Sequence, residues 1–329
     1  MLSQKSGLRL QHTFGSGSVY ACRRLASTTA IPWPTFAKQL LYHRNGATTN
    51  VLQLEKNKLP EIQASDVGVA MLRSPVNPAD VNAVEGVYPI RPPMPAVGGG
   101  EGVGVVVKVG EGVTDLKAGD WVIPRAAGAL GTWQSHLVHA ADNFVKVPND
   151  IPAEYASILS VNPPTAFRML EDFADLKEGD VVAQNGATSA VGRAVIQMCA
   201  LKGVKTINLI RDRPNIEEVT ADLKALGATY VVTDSSARLP ETRAMLKKEK
   251  SAKLGLNCVG GKSCAQIVRY MGNNGVLVTY GGMAKEPVTL PTASQIFQNI
   301  KAIGFWMSQW YTERGKADRL RMVEDIAGM

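Results

Sequence analysis

The sequence predicts an α/β protein in two parts, a β-rich barrel followed by a doubly wound parallel sheet. Two observations carry this reading. From Asp66 to about Pro148, short alternating apolar runs are punctuated by Gly and Pro, as in a compact all-β unit. After Ile151, six short apolar runs alternate with segments of helical period, as in a parallel sheet covered on both faces. At 329 residues, 45% hydrophobic and 20% charged, the chain is long enough to bury a core in each part.

The first part is built from Val67–Leu72, Val103–Val109, a turn running into a strand at Gly119–Ile123, and Phe144–Val147. No helical period dominates before about residue 152. In the second part Val181–Gln184 reads as a buried strand. Residues 189–202 follow as a helix whose apolar positions are Ala190, Val191, Ala194, Val195, Met198 and Leu201. Thr206–Ile210 is the next strand, and residues 215–226 the next helix, closed by Gly227. Tyr230–Thr233, Leu254–Val259, Val276–Tyr280 and Ala302–Phe305 complete the six strands, and a last helix is expected over Asp318–Ala327. There is no internal repeat and no low-complexity linker.

The net charge of +7 is unevenly placed. The first acidic residue is Glu55, whereas Lys5, Arg9, Arg23, Arg24, Lys38 and Arg44 precede it. Residues 1–30 are rich in Ser, Thr, Gly and Arg and have neither acids nor a continuous apolar run, the composition of a mitochondrial transit peptide. Arg23–Ser27 suits a processing region. The remaining body is only mildly basic, which argues against nucleic acid as a partner. No run approaches the roughly 18 uninterrupted apolar residues of a membrane span. Cys22, Cys199, Cys258 and Cys264 show no CxxC pair or metal spacing. The last three read as buried small hydrophobes, and no disulfide is implied. His12, His43, His136 and His139 form no cluster, and the last two read as solvent-facing strand residues.

The segment Gln184-Asn-Gly-Ala-Thr-Ser-Ala-Val-Gly192 joins the first strand of the parallel sheet to its helix. A dinucleotide site needs small residues there, because the backbone turns tightly and its N–H groups approach a pyrophosphate at the helix N-terminus. Gly186, Ala187, Ala190 and Gly192 meet that need. The second strand ends in Arg211-Asp-Arg213. Two guanidiniums suit the 2′-phosphate of NADP, whereas an NAD site places an acid there. Asp212 between them points away or orients an arginine.

Further stretches bear a family stamp: Val76-Asn-Pro-Ala-Asp80, Pro95–Gly98 with Glu101-Gly102, Gly119–Pro124, Gly131–Trp133, Val161–Pro163, Thr206–Asn208, Leu256–Lys262, Val278–Lys285, and Gly304–Trp306 with Ser308–Trp310. On these, from about residue 36 to 325, the sequence resembles the mitochondrial trans-2-enoyl-CoA/acyl-carrier-protein reductases, a zinc-independent branch of the medium-chain dehydrogenase/reductase superfamily. The resemblance implies a GroES-like catalytic domain over residues 31–158, with 308–329 as the start of its C-terminal return, and a Rossmann NADPH-binding domain over 159–307. It implies NADPH-dependent reduction of an enoyl-acyl carrier protein or enoyl-CoA, the last step of elongation in mitochondrial fatty acid synthesis, by a homodimer in the matrix. It places the catalytic tyrosine at Tyr88 and cofactor contacts at Asn162, at Thr188, Ser189, Ala190 and Val191, at Arg211, Asp212 and Arg213, at Tyr280, Gly281, Gly282 and Met283, and at Phe305, Trp306 and Met307. Zinc-dependent members carry Gly-His-Glu where this chain has Gly98-Gly99-Gly100-Glu101, and a cysteine ligand upstream, so the resemblance implies transfer without a metal.

Two departures stand out. The phosphate turn of the family reads Asn-Ser-Gly-Val-Gly, and here it is Thr188-Ser-Ala-Val-Gly192, with a Cβ at Ala190 where backbone should approach phosphate. Related reductases also continue past Met329 through a returning helix, strands and a cofactor-binding lysine. The expectation is therefore a short isoform or an incomplete gene model, lacking the tail that would complete the barrel.

An enoyl thioester accepts hydride at Cβ, its oxygen gains charge, and Cα is protonated. A tyrosine suits the last two tasks, because it donates first a hydrogen bond and then a proton. Trp306 and Trp310 read either as walls of an acyl and nicotinamide cleft or, for Trp310, as core. The competing readings are a quinone oxidoreductase of the same superfamily and a non-catalytic NADPH-binding protein.

Overall fold

A computed structural model describes residues 31–329 except 127 and 129. The alternating apolar runs of the first part become antiparallel strands. A sheet of three pairs β1 (Phe36–Tyr42) with β2 (Gln53–Lys58) and β4 (Ala96–Val97). A sheet of five joins β3 (Asp66–Arg73), β5 (Val103–Val109), β6 (Trp121–Pro124), β7 (His136–Ala140) and β8 (Phe144–Val147) in the order β7-β3-β5-β6-β8. Val67, Val69, Val106 and Val122 pack together between its strands with Leu137 and Phe144.

The second part is a six-stranded parallel sheet. Its strands are β9 (Val181–Gln184), β10 (Lys205–Ile210), β11 (Tyr230–Thr233), β12 (Ala252–Asn257), β13 (Met271–Thr279) and β14 (Lys301–Gly304), in the order β11-β10-β9-β12-β13-β14. The chain leaves β9 toward one side of the sheet and resumes on the other at β12. Crossover helices there diverge and open a crevice beyond the carboxyl ends of β9 and β12. Val182, Leu254, Leu256 and Val278 face helices Asn162–Asp172 and Ala190–Leu201 in the largest apolar cluster. The last helix, Lys316–Ala327, bridges the two parts. Met322 joins that cluster, and Val323 packs against Ile123, Val145 and Val147 of the five-stranded sheet.

Several expectations are corrected. A helix, Pro78–Glu85, does form within the β-rich part. Its signal is local rather than periodic: Pro78 opens it, and the Asp80 carboxylate accepts from Asn77 N at 2.7 Å, half of a capping box. Of the apolar positions in helix Ala190–Leu201, Leu201 is 60% exposed and Ala190 faces the crevice. Strand β14 is exposed at all four residues, because it is the sheet edge. His136 is half-buried, packs edge-on against Trp33, and loses basicity through burial. Cys199, Cys258 and Cys264 are buried free thiols, whereas Cys22 and residues 1–30 lie outside the described residues. Among the described residues no helix is long and apolar enough to cross a membrane.

Candidate active site

The crevice becomes a cavity of about 650 Å³, well within the range that holds a cofactor or substrate. One wall is built around the turn after β9. Gly186 adopts φ +60°, and a Cβ there would lie 2.4 Å from Cys258 Sγ, so only glycine lets the turn lie against the end of β12. Ser189 caps the following helix, its hydroxyl accepting from Gly192 N at 3.1 Å. The N–H groups of Ala190 and Val191, ahead of the capped Gly192, have no partners within the helix and are therefore available to a ligand. A row of buried amides supports the turn. Asn185 donates to Asn257 Oδ1 at 2.8 Å across the switch point, Asn257 donates to Thr279 Oγ1 at 3.1 Å, and Gln184 donates to Asn208 Oδ1 at 2.8 Å. These amides were not read as structural supports from sequence.

The second wall comes from the β-rich part. Helix Pro78–Glu85 ends at Gly86, in the left-handed conformation, and the chain folds back so that Tyr88 N donates to Asn82 O at 3.2 Å. This return aims Tyr88 into the cavity. The indole of Trp306, just after β14, donates to its hydroxyl at 3.0 Å, and the rings meet edge to face at 6.3 Å. The predicted residues Asn162, Ser189, Ala190 and Val191 line the cavity, as do Tyr280 to Met283 and Phe305 to Met307. Gly282 has open space where a Cβ would stand. The Tyr280 phenol is buried beside Cys258 and Ser189, and burial holds its pKa well above the ordinary value.

Other predicted residues are placed differently. Thr188 precedes Ser189 in the turn, and Arg211 to Arg213 follow the end of β10, beyond the cavity wall. Asp212 orients neither arginine through a hydrogen bond of its own. Its carboxylate accepts from Ser235 N at 3.0 Å and Ser235 Oγ at 2.5 Å, which hold it below the usual carboxylate range. Arg211 is left exposed and Arg213 half-exposed beside it. Trp310 is core, buried against Arg168 and Tyr311.

Below the cavity lies a polar cluster that sequence reasoning did not assemble. Glu101 is fully buried and accepts from Asn77 Nδ2 at 2.7 Å. Asn77 Oδ1 in turn accepts from Asn162 Nδ2 at 2.9 Å. Burial pushes the Glu101 carboxyl up to about 8, and the neighbouring Asp80 charge adds to this. The adjacent glycines are obligatory, since a Cβ at Gly98 would lie 2.4 Å from the Trp133 ring. Among the described residues no group of three or more His, Cys, Asp or Glu side chains could hold a metal.

Comparisons with known proteins agree with this architecture. Residues 63–149 match the family described as alcohol dehydrogenase GroES-like domain, and residues 190–322 the family described as zinc-binding dehydrogenase. The chain is 48% identical over 288 residues to a rat protein named mitochondrial enoyl-[acyl-carrier-protein] reductase, covering 88% of this chain and 77% of that protein. Proteins of the same name from human and Arabidopsis thaliana are 47% and 44% identical, over 87% and 89% of this chain and 76% and 78% of theirs. Among solved structures, the complex of Etr1p with NADP and crotonyl-CoA superposes with a TM-score of 0.83 at 38% identity, covering 88% of this chain and 87% of that one. The Candida tropicalis Etr1p/Etr2p heterodimer of mitochondrial 2-enoyl thioester reductase gives the same values.

Proposed function

The chain belongs to the enoyl-[acyl-carrier-protein] reductase family, and from that premise we propose that it reduces trans-2-enoyl thioesters to saturated acyl thioesters with NADPH, closing an elongation cycle of fatty acid synthesis in the mitochondrial matrix. The observation that carries the reading is the meeting of Tyr88 and Trp306 in one cavity with the glycine turn and helix start at Ser189–Val191.

The cavity fits the cofactor on its own terms. Gly282 leaves backbone bare, the helix start offers N–H donors, and the apolar Phe305 and Met307 back a flat ring. Ser189 to Val191 would hold the pyrophosphate, and Tyr280 to Met283 with Asn162 the nicotinamide half. Arg211 and Arg213 would hold the 2′-phosphate. When bound, NADPH supplies the hydride for the substrate Cβ. The Tyr88 hydroxyl donates to the thioester oxygen as charge gathers there and delivers the proton that Cα takes up. Trp306 holds that hydroxyl in place by donating to it, so the Tyr88 proton is free to point at substrate. The domain limits 31–158 with 308–329, and 159–307, follow from the same assignment.

Two finer points belong to the proposal. The acid-free, arginine-bearing segment before Glu55 acts in import to the matrix. The protein is a homodimer in which the exposed edge β14, flanked by exposed Ile296 and Phe297, pairs with a second copy. Light scattering of the purified chain tests the latter. The activity is tested by NADPH oxidation with crotonyl-CoA compared with a quinone. Turnover of the thioester is expected. Preference for the quinone would assign the chain a different reaction, and no turnover of either would make it a binding protein.

A further inference from the structure

The Glu101–Asn77–Asn162 chain of hydrogen bonds has a direction, and the direction has a chemical result. Asn77 Nδ2 donates to Glu101 Oε1 at 2.7 Å, so its Oδ1 faces the other way. That oxygen accepts from Asn162 Nδ2 at 2.9 Å. With one Nδ2 hydrogen given to Asn77, Asn162 lines the cavity with its carbonyl oxygen left to accept from a ligand. An amide can be flipped end for end at little steric cost, and only its partners select the orientation.

Resting on the proposed NADPH-dependent activity, we infer that Glu101 is a positioning residue: as the acceptor at the buried end of this relay it sets Asn77, and through Asn77 makes Asn162 present an acceptor to a hydroxyl or amide donor on the nicotinamide half of the cofactor. Glu101 touches no ligand itself, since it has no exposed surface. The backbones of both Glu101 and Asn77 are fixed independently of this bond. Thr132 Oγ1 donates to its main-chain oxygen at 2.7 Å, which fixes the backbone. Asp80 accepts from Asn77 N at 2.7 Å, which fixes Asn77 from the main-chain side. Only the amide plane of Asn77 is left to be chosen. Burial favours the neutral acid, whose carbonyl oxygen accepts as an amide oxygen would.

The test is fluorescence titration of the full chain with NADPH, and with 2′,5′-ADP, which lacks the nicotinamide half. Glu101→Gln retains the acceptor and should bind NADPH within about twofold of the parent. Glu101→Leu removes the acceptor and should weaken NADPH roughly three- to tenfold, the worth of one neutral hydrogen bond, while leaving 2′,5′-ADP unchanged. Glu101→Leu leaves the buried Asn77 amide without its acceptor and lowers stability, so thermal unfolding is measured alongside to confirm that the variant is folded. Asn77→Leu should weaken NADPH similarly, and the Glu101→Leu/Asn77→Leu pair should be no weaker than Asn77→Leu alone, because one relay is cut in both. A folded Glu101→Leu protein with parental NADPH affinity, an equal loss for 2′,5′-ADP, or additive effects in the pair would overturn the inference and leave the proposed function standing. Failure of the parent chain to bind NADPH would instead remove the reading beneath it.

Discussion

The two walls of the cavity are held by different means. The wall around Gly186 and Ser189 is made of backbone, and it rests on buried amides from β9, β10 and β12 that are themselves hydrogen-bonded. The wall around Tyr88 is made of side chains. Tyr88 and Trp306, 218 residues apart in the chain, are joined by one hydrogen bond, and Trp306 is 40% exposed. The first wall resists change because each buried amide left without its partner costs free energy. The second can be altered without disturbing a core. The difference teaches that cofactor binding and chemistry should separate under mutation.

The sharpest break is Tyr88→Phe. It keeps the ring against Trp306 and removes the proton donor, so enoyl reduction should fall roughly 10²- to 10⁴-fold while the NADPH dissociation constant stays close to that of the parent. Steady-state kinetics and fluorescence titration check the two halves, and unchanged turnover would remove Tyr88 from the chemistry.

The next effect lies on the cofactor side. Arg211→Ala with Arg213→Ala should weaken NADPH but not NADH, by about 1.5–3 kcal/mol for each charged hydrogen bond lost. Equal losses for the two nucleotides would make the pair structural. Asp212→Asn serves as the contrast, because Asp212 is engaged with Ser235 and should alter loop stability more than nucleotide choice.

Gly186→Ala probes the rigidity of the backbone wall. Its positive φ and the 2.4 Å approach to Cys258 Sγ should lower stability by roughly 1–3 kcal/mol, read as a drop in thermal midpoint, and NADPH affinity should fall with it. A midpoint equal to the parent's would mean that the turn relaxes freely.

The smallest expected change is Trp306→Phe. It deletes the donor to the Tyr88 hydroxyl, worth about 0.5–1.5 kcal/mol, so turnover should drop no more than about tenfold with little change in NADPH binding. A loss as large as that of Tyr88→Phe would give the indole a direct part in the reaction.

Much of the backbone wall was legible because its signals are local. Strand, small-residue turn and amphipathic helix follow one another within Val181–Leu201, and each depends on neighbours in the chain. The same holds for the six-strand alternation. Helix Pro78–Glu85 was missed because eight residues carry little periodicity, although Asn77-Pro78-Ala-Asp80 spells a helix start that caps alone reveal. Tyr88 was placed by family likeness, not by any pattern of its own.

What the sequence by itself determined was the alternation of elements, the glycine turn at Gly186 and the apolar faces, all consequences of local sterics and hydrophobic period. What only the tertiary structure decided was who meets whom. It brought Trp306 to Tyr88, pinned Asp212 to Ser235 rather than to an arginine, turned the apolar run at β14 into an exposed edge, and buried Glu101 behind Asn77 and Asn162. The physical reason is that a side chain's partner, exposure and charge depend on segments far away in the chain. These are set only when the two parts pack, and residue type alone does not carry them.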